Sequence, residues 1–327
     1  MSILVTGGAG YIGSHTVRLL REQGHDVVVL DTLEFGFREA VGDTPLVVGD
    51  IADEALVEQI CTEHGVTACV HFAAYKNVGM SMSQPGVYWL NNVAGTVHLV
   101  DALLRHGVDR LVFSSSCSVY GTPATVPVDE AAPVHPESVY AETKAMMERI
   151  LRWYDTTSGL RSASLRYFNA AGASSRGDLG EDWTNSLNLV PVTMAATLGL
   201  RPPVQVFGDD YPTPDGTAIR DYIHVDDLAV AHALALDYLA DGGATMALNV
   251  GTGTGTSVKQ IIEATAQISG QAVPHGYGPR REGDPVAVYA DPTMGRDVLG
   301  WTPRYGLDEI ISSAWAWHRD HPRGFST

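Results

Sequence analysis

Short apolar runs punctuate the first half of the chain, each closed by a turn residue or an acid. Ile3-Leu4-Val5 ends in glycines, Val27-Val28-Val29-Leu30 in Asp31, and Leu46-Val47-Val48 in Gly49-Asp50. Residues 68–72 and 110–113 repeat the form. These runs are rich in β-branched residues and show no polar alternation, which predicts strands covered on both faces. Between them, 11–23, 54–63 and 87–105 carry apolar positions at helical spacing. Strand and helix in strict alternation predict an α/β fold with a doubly wound parallel sheet.

The texture changes after about Gly172. Gly, Pro, Asp and Ser become frequent at 174–183 and 209–216, while helical patterns persist at 225–239, 257–268 and 307–318. We read residues 1–172 as one domain and 173–327 as a smaller, interleaved α/β domain covering the strand ends. The run Leu248-Asn249-Val250 reads as a strand near 247–250 that rejoins the first sheet. No internal repeat or low-complexity tract interrupts the pattern.

Composition narrows the class of function. The 327 residues are 45% hydrophobic, enough for a substantial core, and carry a formal net charge of −17. So acidic a surface repels nucleic acid and anionic membranes, and a small anionic substrate would need a local basic pocket. The three cysteines, Cys61, Cys69 and Cys117, have neither metal-finger nor redox-motif spacing. Few thiols, no signal-like leader and no apolar run of spanning length predict a cytoplasmic protein. The twelve histidines are scattered without metal-ligand spacing, so no metal is expected.

Gly7-Gly8-Ala9-Gly10-Tyr11-Ile12-Gly13 follows the first strand and opens a helix. Gly7, Gly10 and Gly13 permit a tight turn whose backbone N–H groups, with those of Tyr11 and Ile12, meet a pyrophosphate at the helix N-terminus. Asp31, at the end of the next strand, is placed to accept the adenosine ribose hydroxyls and to repel a 2′-phosphate, which favours NAD over NADP and a Rossmann-type domain. Asp50 and Ile51 follow the third strand and are candidates for the adenine. Phe72, Ala73 and Ala74 follow the fourth at the carboxyl edge, where ligands bind in such sheets. Lys76 is a candidate for a phosphate.

Tyr140-Ala141-Glu142-Thr143-Lys144 lies on a helix that Pro136 and Ser138 introduce. Residues four apart share a face, so Lys144 lies one turn from Tyr140. A free tyrosine titrates near roughly pH 10. A nearby ammonium, together with a positive nicotinamide ring, is expected to favour the phenolate and make Tyr140 a base for a sugar hydroxyl. Ser114-Ser115-Ser116 closes the fifth strand and offers a hydroxyl to the reacting oxygen. Tyr-x-x-x-Lys alone occurs on many helices; the glycine loop and serine cluster, in this order, give it its weight.

These segments together resemble the extended short-chain dehydrogenase/reductase family and, within it, the UDP-glucose (UDP-galactose) 4-epimerases, over nearly the whole chain. The opening Val5-Thr6-Gly7-Gly8-Ala9-Gly10-Tyr11-Ile12-Gly13-Ser14-His15 is similar to that family's glycine loop, and His71-Phe72-Ala73-Ala74-Tyr75-Lys76-Asn77-Val78-Gly79 to its nicotinamide-side loop. Ser114-Ser115-Ser116-Cys117-Ser118-Val119-Tyr120-Gly121 matches its serine segment. More selective are Arg166-Tyr167-Phe168-Asn169 after the sixth strand, Gly216-Thr217-Ala218-Ile219-Arg220-Asp221-Tyr222-Ile223-His224-Val225-Asp226-Asp227, and Pro279-Arg280-Arg281-Glu282-Gly283-Asp284. The resemblance implies tightly bound NAD, a UDP-sugar substrate and reversible inversion at C4 through a 4-keto sugar. It implies Tyr140 as base, Lys144 on the nicotinamide ribose and Ser116 on the sugar oxygen. Asn91, Ser114 and Phe168 would lie on the cofactor side, and Asn169, Asn188, Leu189, Val206 and Tyr222 on the substrate side. Arg220 and Arg281 would hold the diphosphate by paired hydrogen bonds, Phe207 would meet uracil and Asp284 the uridine ribose. It further implies a homodimer through the 87–105 and 140–154 helices.

The chain departs from the family at three places. Thr32 stands where an Asn usually follows Asp31, and Leu187 where many relatives carry a second Asn. Val288 falls where the family varies pocket size, between a bulky Tyr that excludes N-acetyl sugars and a small Cys or Ser that admits them. UDP-N-acetylglucosamine or UDP-uronic acid epimerisation, or another NAD-dependent sugar-nucleotide reaction, stays open on this evidence. Dehydration is disfavoured: Cys117-Ser118 follows Ser116, where the dehydratases carry their Asp-Glu pair. A binding protein on the same fold is disfavoured because Tyr140 and Lys144 are both present.

Overall fold

The apolar runs become the strands of one large sheet. The computed structural model describes residues 1–184, 186–281 and 283–325. In chain order its first part comprises β1 (Ser2–Thr6), α1 (Tyr11–Glu22), β2 (Asp26–Asp31), β3 (Leu46–Val48), α2 (Glu54–His64), β4 (Ala68–His71), α3 (Val78–Ser83), α4 (Pro85–Tyr88), a π-helical segment (Trp89–Gly95), α5 (Thr96–Arg105), β5 (Arg110–Ser114), α6 (Val139–Ser158) and β6 (Arg161–Tyr167). Alternate residues of each strand enter opposite layers, as the pleat requires. Ile3 and Val5 of β1 join an apolar layer with α1, while Leu4 joins another with α2, α5 and α6. That burial on both faces explains the lack of polar alternation.

The second part adds β7 (Asn169–Ala171), α7 (Leu189–Thr197), β8 (Val204–Phe207), β9 (Ile219–His224), α8 (Val225–Ala240), β10 (Met246–Val250), β11 (Gly255–Ser257), α9 (Val258–Ser269), β12 (His275–Gly278), β13 (Ala287–Val288), α10 (Thr293–Leu299) and α11 (Leu307–Asp320). Arg166 and Tyr167, expected just after the sixth strand, are its last two residues, and Asn169 starts β7.

The large sheet has seven parallel strands in the order β10-β6-β5-β4-β1-β2-β3. The chain works outward from β1 in one direction to β3, then from β4 in the other, so the winding reverses between β1 and β4. Ligands of such sheets bind outside the carboxyl ends at that reversal. The expected rejoining strand is β10, paired with β6 from Met246 to Val250. Helix α8 also returns to the large sheet, packing Leu228, Leu236 and Leu239 into the α1 layer. The other strands form a small sheet around β9 and a β8–β12 pair, both beyond the strand ends.

One predicted helix is interrupted. Over 87–105 the chain runs as α4, the wider π-helical turn and α5. The Asn92 side chain lies there: its Oδ1 accepts the Tyr75 N–H at 2.9 Å and its Nδ2 donates to the Tyr75 carbonyl at 3.0 Å. A helical amide so committed to a neighbouring loop is a local departure of the kind that marks functional regions. Among the described residues no helix is long and apolar enough to cross a membrane.

Candidate active site

The glycine loop and the loop after β4 touch at the winding reversal. Gly7 has φ +69°, and a Cβ there would fall 2.6 Å from the Ala73 nitrogen; one on Gly13 would fall 2.3 Å from the Gly7 carbonyl oxygen. Only glycine allows so tight a turn with the backbone so near. Helix α1 begins at Gly10 with no side-chain cap, whereas Ser138 caps α6. The open first-turn N–H groups of α1, Tyr11 and Ile12 among them, suit an anion such as a pyrophosphate. Asp31 is buried at the end of β2, where its two oxygens accept the Ala9 and Leu33 N–H groups, each at 2.9 Å. Each oxygen keeps a lone pair for a ribose hydroxyl. Burial raises its pKa, and those two hydrogen bonds oppose the rise. Leu33 beside it has φ +60°. This is a sparsely populated conformation for a β-turn-poor apolar residue, and such strain clusters near ligands. These residues fit a dinucleotide such as NAD.

The other cofactor candidates border this crevice less tightly. Asp50 holds its own turn through the Ala52 N–H, and Ile51 is buried against the π-helical segment at Gly95. Phe72 lies 4.6 Å, ring to ring, from His232 of α8. Asn91 donates to the Asn92 side chain at 2.8 Å. Tyr11 reaches across to the Gly172 carbonyl at 2.7 Å, tying α1 to the end of β7.

Tyr140 and Lys144 come together on one buried face of α6, opposite the end of β5. The Lys144 ammonium donates to the Ser114 carbonyl at 2.7 Å, stands 4.8 Å over the Phe113 ring and lies 5.9 Å from the Tyr140 ring centre. Ser114 also shares a 2.5 Å hydrogen bond with Tyr167. Ser116 caps the turn that follows β5, its oxygen accepting from the Ser118 N–H and hydroxyl. Burial pushes the phenol's pKa well above the ordinary value, Tyr167 adds to the rise, and the Ser116 hydroxyl opposes it. Burial also pulls Lys144 down to about 7, against the pull of Glu148. Burial thus opposes the charged form of both groups, the phenolate and the ammonium alike. A permanent positive charge, as on an oxidised nicotinamide ring, is the ingredient that favours the phenolate.

The wall beside this pair is apolar. Phe168, Val288 and Ala290 pack together with Cys117 against them. Val288 lies opposite Arg220 in the β13–β9 register, so the wall leads directly to the charged end of the cleft. There Arg220 donates to Asp284 at 2.6 Å, and Tyr222 shares its strand face within the field of that pair. The Arg281 guanidinium lies 4.3 Å from the Phe207 ring, and Arg280 pairs with Asp210 at 2.7 Å. The arginines gather as an acidic chain with an anionic ligand requires, yet Arg220 and Arg280 are already partnered. Glu282 of this motif lies outside the described residues.

Asn188 donates to the Glu181 carboxylate at 2.9 Å, Ser186 does so at 2.7 Å, and Lys76 stands 3.8 Å away. Burial raises the Glu181 pKa against those partners. Leu189 opens α7 behind Asn188, and Asn169 donates to the Asp221 carbonyl at 3.1 Å. Val206 turns inward beneath β8 while Phe207 is exposed. Glu181 and Asn92 are the neighbours that sequence reasoning missed, with only the doubled Asn91-Asn92 inside a helical pattern as a hint; Tyr167 was quoted in its motif without a role. Among the described residues no three His, Cys, Asp or Glu side chains gather to hold a metal ion.

Comparison with known proteins agrees with this geometry. The model of the NAD dependent epimerase/dehydratase family matches residues 3–251. UDP-glucose 4-epimerase of Halalkalibacterium halodurans is 46% identical over 328 residues, covering 100% of this chain and 98% of that protein. The crystal structure of UDP-glucose 4-epimerase from Brucella ovis in complex with NAD superposes with a TM-score of 0.94 at 44% identity, over 96% of this chain and 97% of that one. That of Bifidobacterium longum in complex with NAD+ and UDP does so with a TM-score of 0.94 at 38% identity, over 99% and 100%. Likeness of this extent leaves no segment of either half unmatched, and the chain belongs to the NAD dependent epimerase/dehydratase family.

Proposed function

We propose that this chain interconverts UDP-glucose and UDP-galactose by inverting C4, with NAD retained through the cycle. The observation that carries the reading is the buried Tyr140–Lys144 pair facing the Ser114–Ser116 strand end, beside a glycine loop at the winding reversal. Full-length relatives named for this reaction support it over the N-acetylhexosamine and uronic-acid alternatives.

Bound NAD would supply a reversible two-electron acceptor for the C4 hydride. Residues 1–172 would hold it, with Gly7, Gly10, Tyr11, Ile12 and Gly13 toward the pyrophosphate, Asp31 toward the ribose, and Asp50, Ile51, Phe72, Ala73, Ala74, Asn91 and Phe168 toward its rings. Tyr140 accepts the 4-hydroxyl proton and later returns it; Ser116 holds the sugar oxygen. Lys144 steadies the cofactor ribose. Residues 173–327 anchor UDP through Arg220, Arg281 and Asp284, with Asn188, Leu189, Val206, Phe207 and Tyr222 around them. Distant anchoring leaves the sugar free to present either face. Leu90 and Trp153, 71% and 69% exposed on packed neighbouring helices, support a homodimer through the π-helical segment and α6; a monomer mass by light scattering at micromolar concentration counts against it. Free, unpaired cysteines suit a reducing cytoplasm.

The test is turnover by the protein as purified, without added NAD. Conversion of UDP-galactose to UDP-glucose, lost in Tyr140→Phe, is expected. No conversion even with NAD supplied sinks the reading. UDP-N-acetylgalactosamine in parallel reads what Val288 admits.

A further inference from the structure

A closed polar network lies beneath the reacting groups and takes no part in the mechanism above. Glu148 is one helical turn beyond Lys144 and two beyond Tyr140 on α6, so all three share a face. Its carboxylate accepts Ser115 Oγ at 2.6 Å and, in a fork, Arg166 Nε at 2.9 Å and Nη2 at 2.5 Å. Arg166 Nη1 donates to the Tyr120 hydroxyl at 2.9 Å, which donates to Asn249 Oδ1 at 2.7 Å. Glu148, Arg166, Tyr120 and Asn249 are at most 4% exposed. Burying an ion pair gains little stability over an apolar substitute, so its presence invites another explanation.

The geometry supplies one. Two consecutive residues at the end of β5 are tied to two positions one turn apart on α6: the Ser114 carbonyl to Lys144, and the Ser115 hydroxyl to Glu148. The next residue is Ser116. Two ties at this spacing set both the distance and the register between strand end and helix; one would leave a pivot. Arg166 extends the brace to β6, whose next residue, Tyr167, bonds Ser114. We propose that Glu148 is a positioning residue, holding Lys144 and the strand end that carries Ser116 in register so that both face the same sugar oxygen as Tyr140. The proposal rests on the epimerase reading for its catalytic consequence. Its charge has a second effect. Around Lys144 stand Tyr140 on the same helix, His71 from β4 and Tyr167 and Arg166 from β6, with His232 of α8 behind Tyr167. Glu148 is the one carboxylate acting on Lys144 in this set, and it favours the ammonium against burial.

The chain has three lysines, Lys76, Lys144 and Lys259. Lysine labelled with 13C at Cε therefore gives three signals, with Lys144 assigned by its loss in Lys144→Met. In the protein as purified, Glu148→Gln is expected to lower the Lys144 titration midpoint by about one unit or more. It should also lower kcat at pH 7 roughly tenfold, with KM for UDP-galactose within about twofold. Ser115→Ala removes one tie and no charge; it should lower kcat about threefold and leave the midpoint unmoved. An unshifted Lys144 midpoint in Glu148→Gln, or wild-type kcat in both variants, overturns the proposal. Should Glu148→Gln fail to fold, Glu148→Gln/Arg166→Gln leaves no lone buried charge and is judged by the same criteria. A wild type inactive on UDP-galactose counts against the proposed function, while the lysine midpoint still decides Glu148.

Discussion

The two ends of the cleft are built on opposite electrostatic principles. At the reacting end Tyr140, Lys144 and His71 are buried, and burial moves each toward its neutral form: the phenol up, the ammonium to about 7, the imidazole to about 3. At the anchoring end Arg220 and Asp284 remain a partly exposed ion pair, and Arg281 lies on an exposed aromatic ring. Where burial disfavours charge, an arriving cationic ring acts at low dielectric and with large effect. A charged, wetter site can exchange one ionic partner for another at little cost. Under the proposed function the lesson is a division of labour: protonation chemistry is kept where charge is expensive, and anion binding where it is cheap.

If the division is real, perturbations at the two ends differ in kind. Tyr140→Phe removes the proton acceptor and should lower kcat by about 10³-fold or more, with UDP affinity unchanged. A kcat loss under tenfold would erase the distinction. Arg220→Gln, at the other end, should raise KM for the UDP-sugar about 10- to 100-fold with kcat within a few-fold, equivalent to about 1.4–2.8 kcal/mol of binding. An equal loss in kcat would mean the anchor also shapes the reacting geometry.

Acidity sharpens the contrast through stability. Burial lowers His71 to about 3 and His224, His232 and His318 to about 4. Unfolded, these imidazoles titrate near 6.5. Between roughly pH 6.5 and 4 the unfolded chain binds protons that the folded one refuses, so the stability present above 6.5 is lost as pH falls through that window. Melting temperature should decline steeply there, and a flat profile from pH 7 to 4.5 would contradict these burials. The smallest effect is expected at the wall joining the two ends. Val288→Ser should raise turnover of an N-acetylhexosamine substrate only about 10-fold, the scale of a few methyl groups in a pocket; no gain would place the size limit elsewhere.

Much of this was legible in residue order. The unalternating apolar runs foretold a sheet covered on both faces, and Leu248-Asn249-Val250 its distant edge strand. The glycine loop and the Tyr140–Lys144 spacing pointed to the proposed reacting end because local geometry alone, a turn and one helical pitch, brings those groups together. The anchoring end was reached through resemblance, since Arg220, Arg281, Phe207 and Asp284 come from separate strands and loops with no shared period. The break at 89–95 was not legible: the Asn92 bonds to Tyr75 that accompany it span 17 positions. Nor was Glu148 distinguishable from any other helix glutamate until Arg166 and Ser115 stood beside it.

By itself the sequence determined the winding of the sheet, the glycine loop and the pairing of Tyr140 with Lys144 on one helix face. Each depends on periodicity or on neighbours within a turn, and chain connectivity supplies both. Tertiary structure alone decided the environments and pairings: that burial disfavours the charged forms of Tyr140 and Lys144, that Arg220 already holds Asp284, and that Glu148 bonds Ser115 and Arg166. Those depend on desolvation and on contacts between distant segments, and no local pattern encodes how much water a side chain loses when the chain closes around it.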